Sequence, residues 1–184
     1  MKNNFDIDKI IQLRKFLRTT WQSYATAMIT LDKLMHNQLR RNSIENAFIS
    51  NESLSFDFLT STRAFIRTSE KVSRQIQNHS LQEYSKNLKV EFPDHKNARD
   101  IIEHFDDYIF GKGNLQKNQI LTGEPLCVYL DDRSVVFIQV YNLNAIDVSK
   151  LAYWIDGYMH YLEKKLHEII KPNVDWEGFY PLKF

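Results

Sequence analysis

The sequence predicts a mainly α-helical protein: an up-and-down four-helix bundle with a β-hairpin inserted between the third and fourth long helices. Long stretches repeat apolar residues at helical spacing, and the 184 residues include only 5 Gly and 4 Pro to interrupt them. One run of β-forming residues follows Pro125. Hydrophobic residues make up 43% of the chain, which is enough to build the core of a single domain over residues 1–184.

The charge and cysteine content restrict the classes of function. The 24 basic and 23 acidic side chains nearly cancel, so RNA binding would need a local basic face, and we expect no DNA partner. Cys127 is the only cysteine, which excludes an intrachain disulfide and a Cys-rich metal site. Because no signal-peptide run and no stretch of ~20 uncharged apolar residues occurs, we expect a cytoplasmic protein without membrane contact.

The first two predicted helices cover residues 6–41 and 53–78. The first has a heptad-like seam, predicted to be its core face, made of Leu17, Trp21, Tyr24, Met28, Leu31 and Met35. The polar stretch 43–52 predicts a connection or a short irregular helix, with a turn placed there and Ser53 capping the second helix. A basic stripe on that helix is predicted to be a solvated face, and it comprises Arg63, Arg67, Lys71 and Arg74.

A short helix is predicted over residues 79–90, and Pro93 is placed to open a third long helix that runs to about Phe110. Gly111 and Gly113 are predicted to end that helix. The pairs Asp94–His95 and Asp106–Asp107 are interpreted as surface charges.

The β-forming residues predict a hairpin insertion at about 125–141, with a polar turn at 131–134, lying on the helices or pairing with another chain. Asp147 or Ser149 is predicted to start the last helix, and Pro172 to stop it. The aromatic tail 172–184 is predicted to pack on the body or on a partner.

Arg99 and His104, with Asp100 and Glu103 beside them, are the candidate catalytic residues. An imidazole can take a proton from a ribose hydroxyl or give one to a leaving oxygen, and a guanidinium can hold the phosphate. Asp100 or Glu103 could orient the pair, and this chemistry requires no metal or cofactor. The alternative is structural: Arg99 forms an i,i+4 ion pair with Glu103, and Asp100 or Asp107 hydrogen-bonds His104.

Arg99, four intervening residues and His104 on the third of four helices, with the polar Asp100 directly after the arginine, resemble the motif of the HEPN family. The likeness covers residues 6–78, 93–110 and 147–171, whereas the hairpin departs from a plain bundle. The resemblance implies a homodimer whose facing motifs form a shared cleft. In active members it implies a metal-independent endoribonuclease, with Arg99 and His104 as the residues carried over.

Helix geometry adds a condition to this hypothesis. Five positions along a regular helix rotate a side chain by about 140° and advance it by roughly 7.5 Å, so Arg99 and His104 do not share a face. We therefore predict that the pair meets across a dimer axis or does no chemistry together. The competing hypothesis is a non-catalytic binding or scaffold module that recruits a protein or nucleotide partner.

Overall fold

The computed structural model describes residues 7–39, 44–117, 120–130 and 135–170, and shows a mainly helical fold with a small antiparallel sheet. The helices are α1 Ile7–Leu39, α2 Ile44–Gln75, α3 His79–Glu91, α4 His95–Glu103, α5 Phe105–Ile109 and α6 Val148–Ile170. The strands are β1 Cys127–Leu130, β2 Val136–Gln139 and β3 Ile146–Asp147. Within these described ranges, no helix is both long and apolar enough to cross a membrane.

The predicted first helix is confirmed as α1, which packs along α2, but its predicted seam is wrong at the centre. Leu17 is buried, whereas the other seam residues are half-buried flanks. The buried stripe between them continues through Thr20, Ser23, Ala27, Thr30 and Leu34. Thr20 and Thr30 donate their hydroxyl hydrogens to carbonyls one turn earlier, 2.8 and 2.7 Å away. The buried face of α1 therefore includes small polar side chains, and the hydroxyls of Thr20 and Thr30 are satisfied within the helix.

The turn placed at 43–52 and the cap at Ser53 are wrong, because α2 is already helical from Ile44 and Ser53 lies exposed inside it. The polar residues there stay compatible with a helix: the Ser55 hydroxyl donates to the Asn51 carbonyl, 2.7 Å away. The short third helix is confirmed as α3. Its first turn is capped by the Asn78 side chain, which accepts the Leu81 N–H at 3.0 Å.

The last helix begins where predicted, because Asp147 precedes α6 and its carboxylate accepts the Lys150 N–H at 2.7 Å. The core face of α6 is buried and consists of Leu151, Ile155, Tyr158, Leu162 and Leu166. The Tyr158 hydroxyl ties α6 to α2 by donating to the Ser69 carbonyl at 2.8 Å. The expected stop at Pro172 and the aromatic tail 172–184 lie outside the described residues.

The hairpin prediction is confirmed as antiparallel β1 and β2, in which Cys127 pairs with Gln139 and Leu130 with Val136. The predicted turn 131–134 lies outside the described residues. The unpredicted two-residue strand β3 pairs with β2. Val136 and Ile138 are fully buried on β2, which contacts α6 and α1, so the ribbon lies on the helices.

The prediction of one helix from Pro93 to Phe110 is wrong, because it is divided into α4 and α5 at His104, whose φ is −116° and ψ is 38°. The interruption is one residue long, so the apolar spacing continues across it and periodicity cannot reveal it. Gly111, with φ of +70°, follows α5 as predicted. Tyr108 then packs on Gly113, where an added Cβ would lie 2.3 Å from the tyrosine ring.

Candidate functional site

Helix α4, which carries the candidate residues, is held in place by contacts with two other parts of the chain. Ala98 and Ile101 are fully buried, and the helix packs against α2. At the start of the helix, the Asp94 carboxylate accepts the Asn144 backbone N–H at 3.0 Å and its side-chain amide at 2.6 Å. Arg99 and Glu103 are therefore carried by a helix that is held between α2 and the loop before β3.

Arg99 is restrained by carboxylates on its own helix. Its two terminal nitrogens contact both carboxylate oxygens of Glu103, and Nη1 also lies 3.2 Å from Asp100 Oδ1. The side chain is 22% exposed, and its buried Nε has no partner among the described residues. The predicted Arg99–Glu103 ion pair is confirmed, and the Arg99 guanidinium is held in one place.

His104 stands at the corner between α4 and α5. Its backbone N–H donates to the Asp100 carbonyl at 3.2 Å, and its own carbonyl accepts the Asp107 N–H at 3.0 Å. The side chain is 61% exposed, and Glu103 Oε2 lies 3.8 Å from its Nε2. Among the described residues, the expected side-chain hydrogen bonds from Asp100 or Asp107 to His104 are not formed, and Glu103 is the carboxylate near the ring.

One carboxylate oxygen, Glu103 Oε2, is therefore close to both candidate catalytic side chains. The prediction that Arg99 and His104 diverge assumed a regular helix through His104. That premise is wrong because the helix ends at Glu103. The two side chains face a common oxygen atom within one chain.

His104 also lines a cleft of about 490 Å³ between α4, α5 and the segment after Gly111. The polar lining includes two lysines, two asparagines and two aspartates, and the full set is Lys96, Asn97, Asp100, His104, Asp107, Tyr108, Lys112, Gly113, Asn114 and Leu115. A second hollow of about 300 Å³ includes Glu103, His104 and Phe105. Of the predicted residues, Asp100 and His104 open onto the larger cleft and Glu103 onto the smaller one.

His95 corrects the prediction that Asp94–His95 are surface charges. Its side chain is 2% exposed, and its Nε2 lies 2.6 Å from the Thr62 hydroxyl on α2. That hydroxyl also lies 2.8 Å from the Phe58 carbonyl, to which it can donate. The tautomer that satisfies these groups has Nε2–H donating to Thr62 Oγ1 and leaves Nδ1 as an acceptor, without a partner among the described residues.

The charges around His95 keep it neutral. Burial, and after it the positive charges of Arg63 and Arg99, lower its pKa from 6.5 to about 3. The burial of His95 was not predicted, because the residue follows the charged Asp94 at the start of a helix. One signal was present: His95 stands four residues before Arg99 and three before the apolar Ala98, on the side of α4 that packs on α2.

The basic stripe of α2 is not one solvated face. Arg63 is half-buried, and burial lowers its pKa while the negative charge of Asp100 acts in the opposite direction. Arg67 is exposed, the Lys71 amine lies 4.9 Å from the centre of the Phe16 ring, and Arg74 pairs with Glu70 at 2.7 Å. The prediction therefore fails for Arg63, which contributes to the field around α4.

No protein-family model, curated protein or solved structure matches this chain. Across the ranges that the structure describes, no three His, Cys, Asp or Glu side chains are grouped so as to hold a metal ion.

Proposed function

We propose that this protein cleaves RNA phosphodiesters without a metal, using Arg99 and His104, as a HEPN-like homodimer. The observation that carries the proposal is the position of Glu103 Oε2, which contacts Arg99 and lies 3.8 Å from His104 Nε2. Carboxylate and phosphate oxygens make the same kinds of contact with a guanidinium and an imidazole. A phosphodiester oxygen would find the same two partners.

In the proposed reaction, His104 accepts the proton of a ribose 2′-hydroxyl. The 2′-oxygen attacks the adjacent phosphorus, and the bond to the 5′-oxygen of the next nucleotide breaks. The leaving oxygen takes up a proton, which gives a 2′,3′-cyclic phosphate and a free 5′-hydroxyl. Arg99 offsets the negative charge that develops on the phosphoryl oxygens. The cleft of about 490 Å³ beside His104 is large enough for a nucleotide, and its lining holds two lysines that can contact a phosphate, Lys96 and Lys112, together with two aspartates, Asp100 and Asp107.

A homodimer fits this chemistry because a second copy that faces the first can bring its own His104 to the phosphate held by Arg99 of the first copy. Each shared site then needs one Arg99 and one His104, from different copies. The four-helix bundle of the family belongs to the same proposal, with α1, α2, the α4–α5 segment and α6 as its four members.

The test is cleavage of end-labelled RNA in the presence of a chelator. Arg99→Ala and His104→Ala should each reduce the rate by about 100-fold or more, and the products should carry a cyclic phosphate. Arg74→Ala is the matched arginine control, because it breaks an i,i+4 ion pair of the same type on α2. His160→Ala removes an exposed histidine from α6. Absence of cleavage, or equal cleavage by all four variants, would contradict the proposal.

Mixing the two inactive variants tests where the pair acts. If Arg99 of one copy works with His104 of the other, a random mixture of Arg99→Ala and His104→Ala chains regains about a quarter of the wild-type activity, since half of the dimers hold one intact site. If the pair acts within one chain, the mixture stays inactive. Light scattering of the wild type provides the oligomeric state on which the mixing experiment depends.

A second candidate function, a protein-binding module, is favoured by the aromatic residues beside the cleft. Phe110 is 73% exposed and Phe105 is 37% exposed, so large apolar side chains face solvent at the ends of α5. Phe110→Ser should convert a self-associating species to monomer in light scattering if these residues form an interface. An unchanged mass would count against that role.

A further inference from the structure

We infer that the Glu103 carboxylate is an internal occupant: it fills the anion-binding site formed by Arg99 and His104. Its side chain must rotate away before a phosphodiester can bind there. This inference rests on the proposed function, because it names the group that limits access to the same site. The free chain would then be self-inhibited by one carboxylate on the last residue of α4.

The contacts of Glu103 are those of a bound anion. Its two oxygens meet the two terminal nitrogens of Arg99, which is the two-point contact that guanidinium groups make with carboxylates and phosphates. One of these oxygens is also the atom 3.8 Å from His104 Nε2. A phosphate that binds Arg99 through two oxygens and approaches His104 needs the volume that the Glu103 carboxylate fills.

The two members of the ion pair differ in how freely they can move. Arg99 is 22% exposed, its Nε is buried, and Asp100 provides a second carboxylate at 3.2 Å. Glu103 is 36% exposed and terminates its helix. Rotation of the Glu103 side chain into solvent would therefore open the site while Arg99 stays in position.

Two other roles for Glu103 predict different effects of neutralising its carboxylate. A residue that positions Arg99 and His104 for catalysis would make both phosphate binding and cleavage weaker when it is neutralised. A surface ion pair without a functional role would leave both unchanged. An internal occupant is the role for which neutralisation improves binding.

The first experiment titrates inorganic phosphate and follows the ring signals of His104 by NMR, assigned by their loss in His104→Ala. We expect Glu103→Gln to reach half-saturation at a phosphate concentration about two- to five-fold lower than the wild type, the range set by an exposed ion pair. Glu103→Asp keeps the charge but retracts it by one methylene, so it should lie between them. Glu168→Gln removes one negative charge from the exposed Lys165–Glu168 pair on α6 and controls for net charge.

Equal or weaker phosphate binding by Glu103→Gln, or an equal gain in Glu168→Gln, overturns the inference. So does the absence of any shift in the wild type and in Glu103→Gln. Loss of the shift in Arg99→Ala supports it, since the site then requires the guanidinium.

The second experiment separates this inference from the proposed function by measuring RNA cleavage in the same variants. Faster cleavage by Glu103→Gln at subsaturating RNA supports both. Tighter phosphate binding without any cleavage supports the internal occupant and rejects the ribonuclease. Cleavage that depends on Arg99 and His104 but is slower in Glu103→Gln rejects the internal occupant alone.

Discussion

His95 and His104 stand at the two ends of α4, and each directly follows an acidic residue. At the first end, His95 is 2% exposed and bonded to Thr62 of α2. At the other, the His104 side chain is 61% exposed and lines the cleft. The same residue type with the same kind of neighbour is a core residue in one position and a candidate catalyst in the other.

The two histidines differ because α2 packs against His95, whereas the His104 side chain is exposed. α2 covers the first turn of α4, so His95 must be neutral and hydrogen-bonded to be tolerated there. The chain turns after Glu103, and His104 is left at the corner with solvent beside it. The environment of an imidazole, more than its sequence neighbours, decides whether it can exchange a proton with a ligand.

Replacing His95, at the buried end of α4, should destabilise the protein much more than replacing His104 at the exposed end. His95→Ala leaves a cavity beside α2 and removes the N–H that donates to the Thr62 hydroxyl, so we expect the free energy of unfolding to fall by about 2–4 kcal/mol. His104→Ala, the matched control at the exposed end, should change it by about 0.5 kcal/mol or less. Urea unfolding followed by circular dichroism measures both, and equal effects would mean that the two environments are not distinct.

The buried residue His95 should also make the stability of the protein depend on pH. The pKa of His95 falls from 6.5 to about 3 on folding, so the unfolded chain binds more protons between these values. Stability is then fully present above pH 6.5 and is lost as the pH falls toward about 3. Between pH 7 and 5 the loss should be about 2 kcal/mol. Glu70, whose pKa is lowered from 4.5 by Lys89 first and also by Arg74, contributes its own loss only at lower pH.

The control for this pH dependence is His95→Gln, which replaces the ring with a side chain that does not titrate. Urea midpoints of the variant and the wild type, compared from pH 7 to 5, should converge as the pH falls, because only the wild type has to keep a histidine neutral. Parallel curves would show that His95 does not control this pH range.

The sequence predicted the elements whose periodicity is long. α1 and α6 lie close to their expected bounds because many apolar residues repeat along each of them. The short α3 and the hairpin were also predicted, the hairpin from its β-forming residues. The start of α2 was predicted wrongly because Ser and Asn were interpreted as turn residues, whereas Asn51 is buried inside the helix and its side-chain oxygen accepts from Asn37 of α1 at 3.4 Å. The break at His104 was not predicted, because one non-helical residue leaves the apolar spacing intact.

The candidate site was predictable only in part. Its residue types and the Arg99–Glu103 pair follow from local spacing on one helix. The burial of His95 and Arg63 depends on which side of α4 meets α2, a contact between residues more than 30 positions apart, as the Thr62–His95 pair shows. Tertiary packing of this kind leaves no periodic pattern in either segment alone.

The smallest predicted effect concerns Thr62, the residue on α2 that receives His95. Thr62→Val keeps the shape but removes the oxygen 2.6 Å from His95 Nε2, so a buried N–H loses its acceptor. We expect a loss of about 1 kcal/mol in the free energy of unfolding. Thr30→Val is the matched control, since that buried hydroxyl donates to the Thr26 carbonyl of its own helix, 2.7 Å away.

The two threonine variants separate tertiary from local hydrogen bonding. The Thr26 carbonyl belongs to the helix ladder of α1, so Thr30→Val should be close to neutral in urea unfolding. Thr62→Val alone should lower stability, because its partner belongs to another helix and has no other acceptor at Nε2 among the described residues. If the two variants cost the same, the Thr62–His95 bond does not hold α4 on α2, and burial of Ala98 and Ile101 would suffice to place Arg99 and His104.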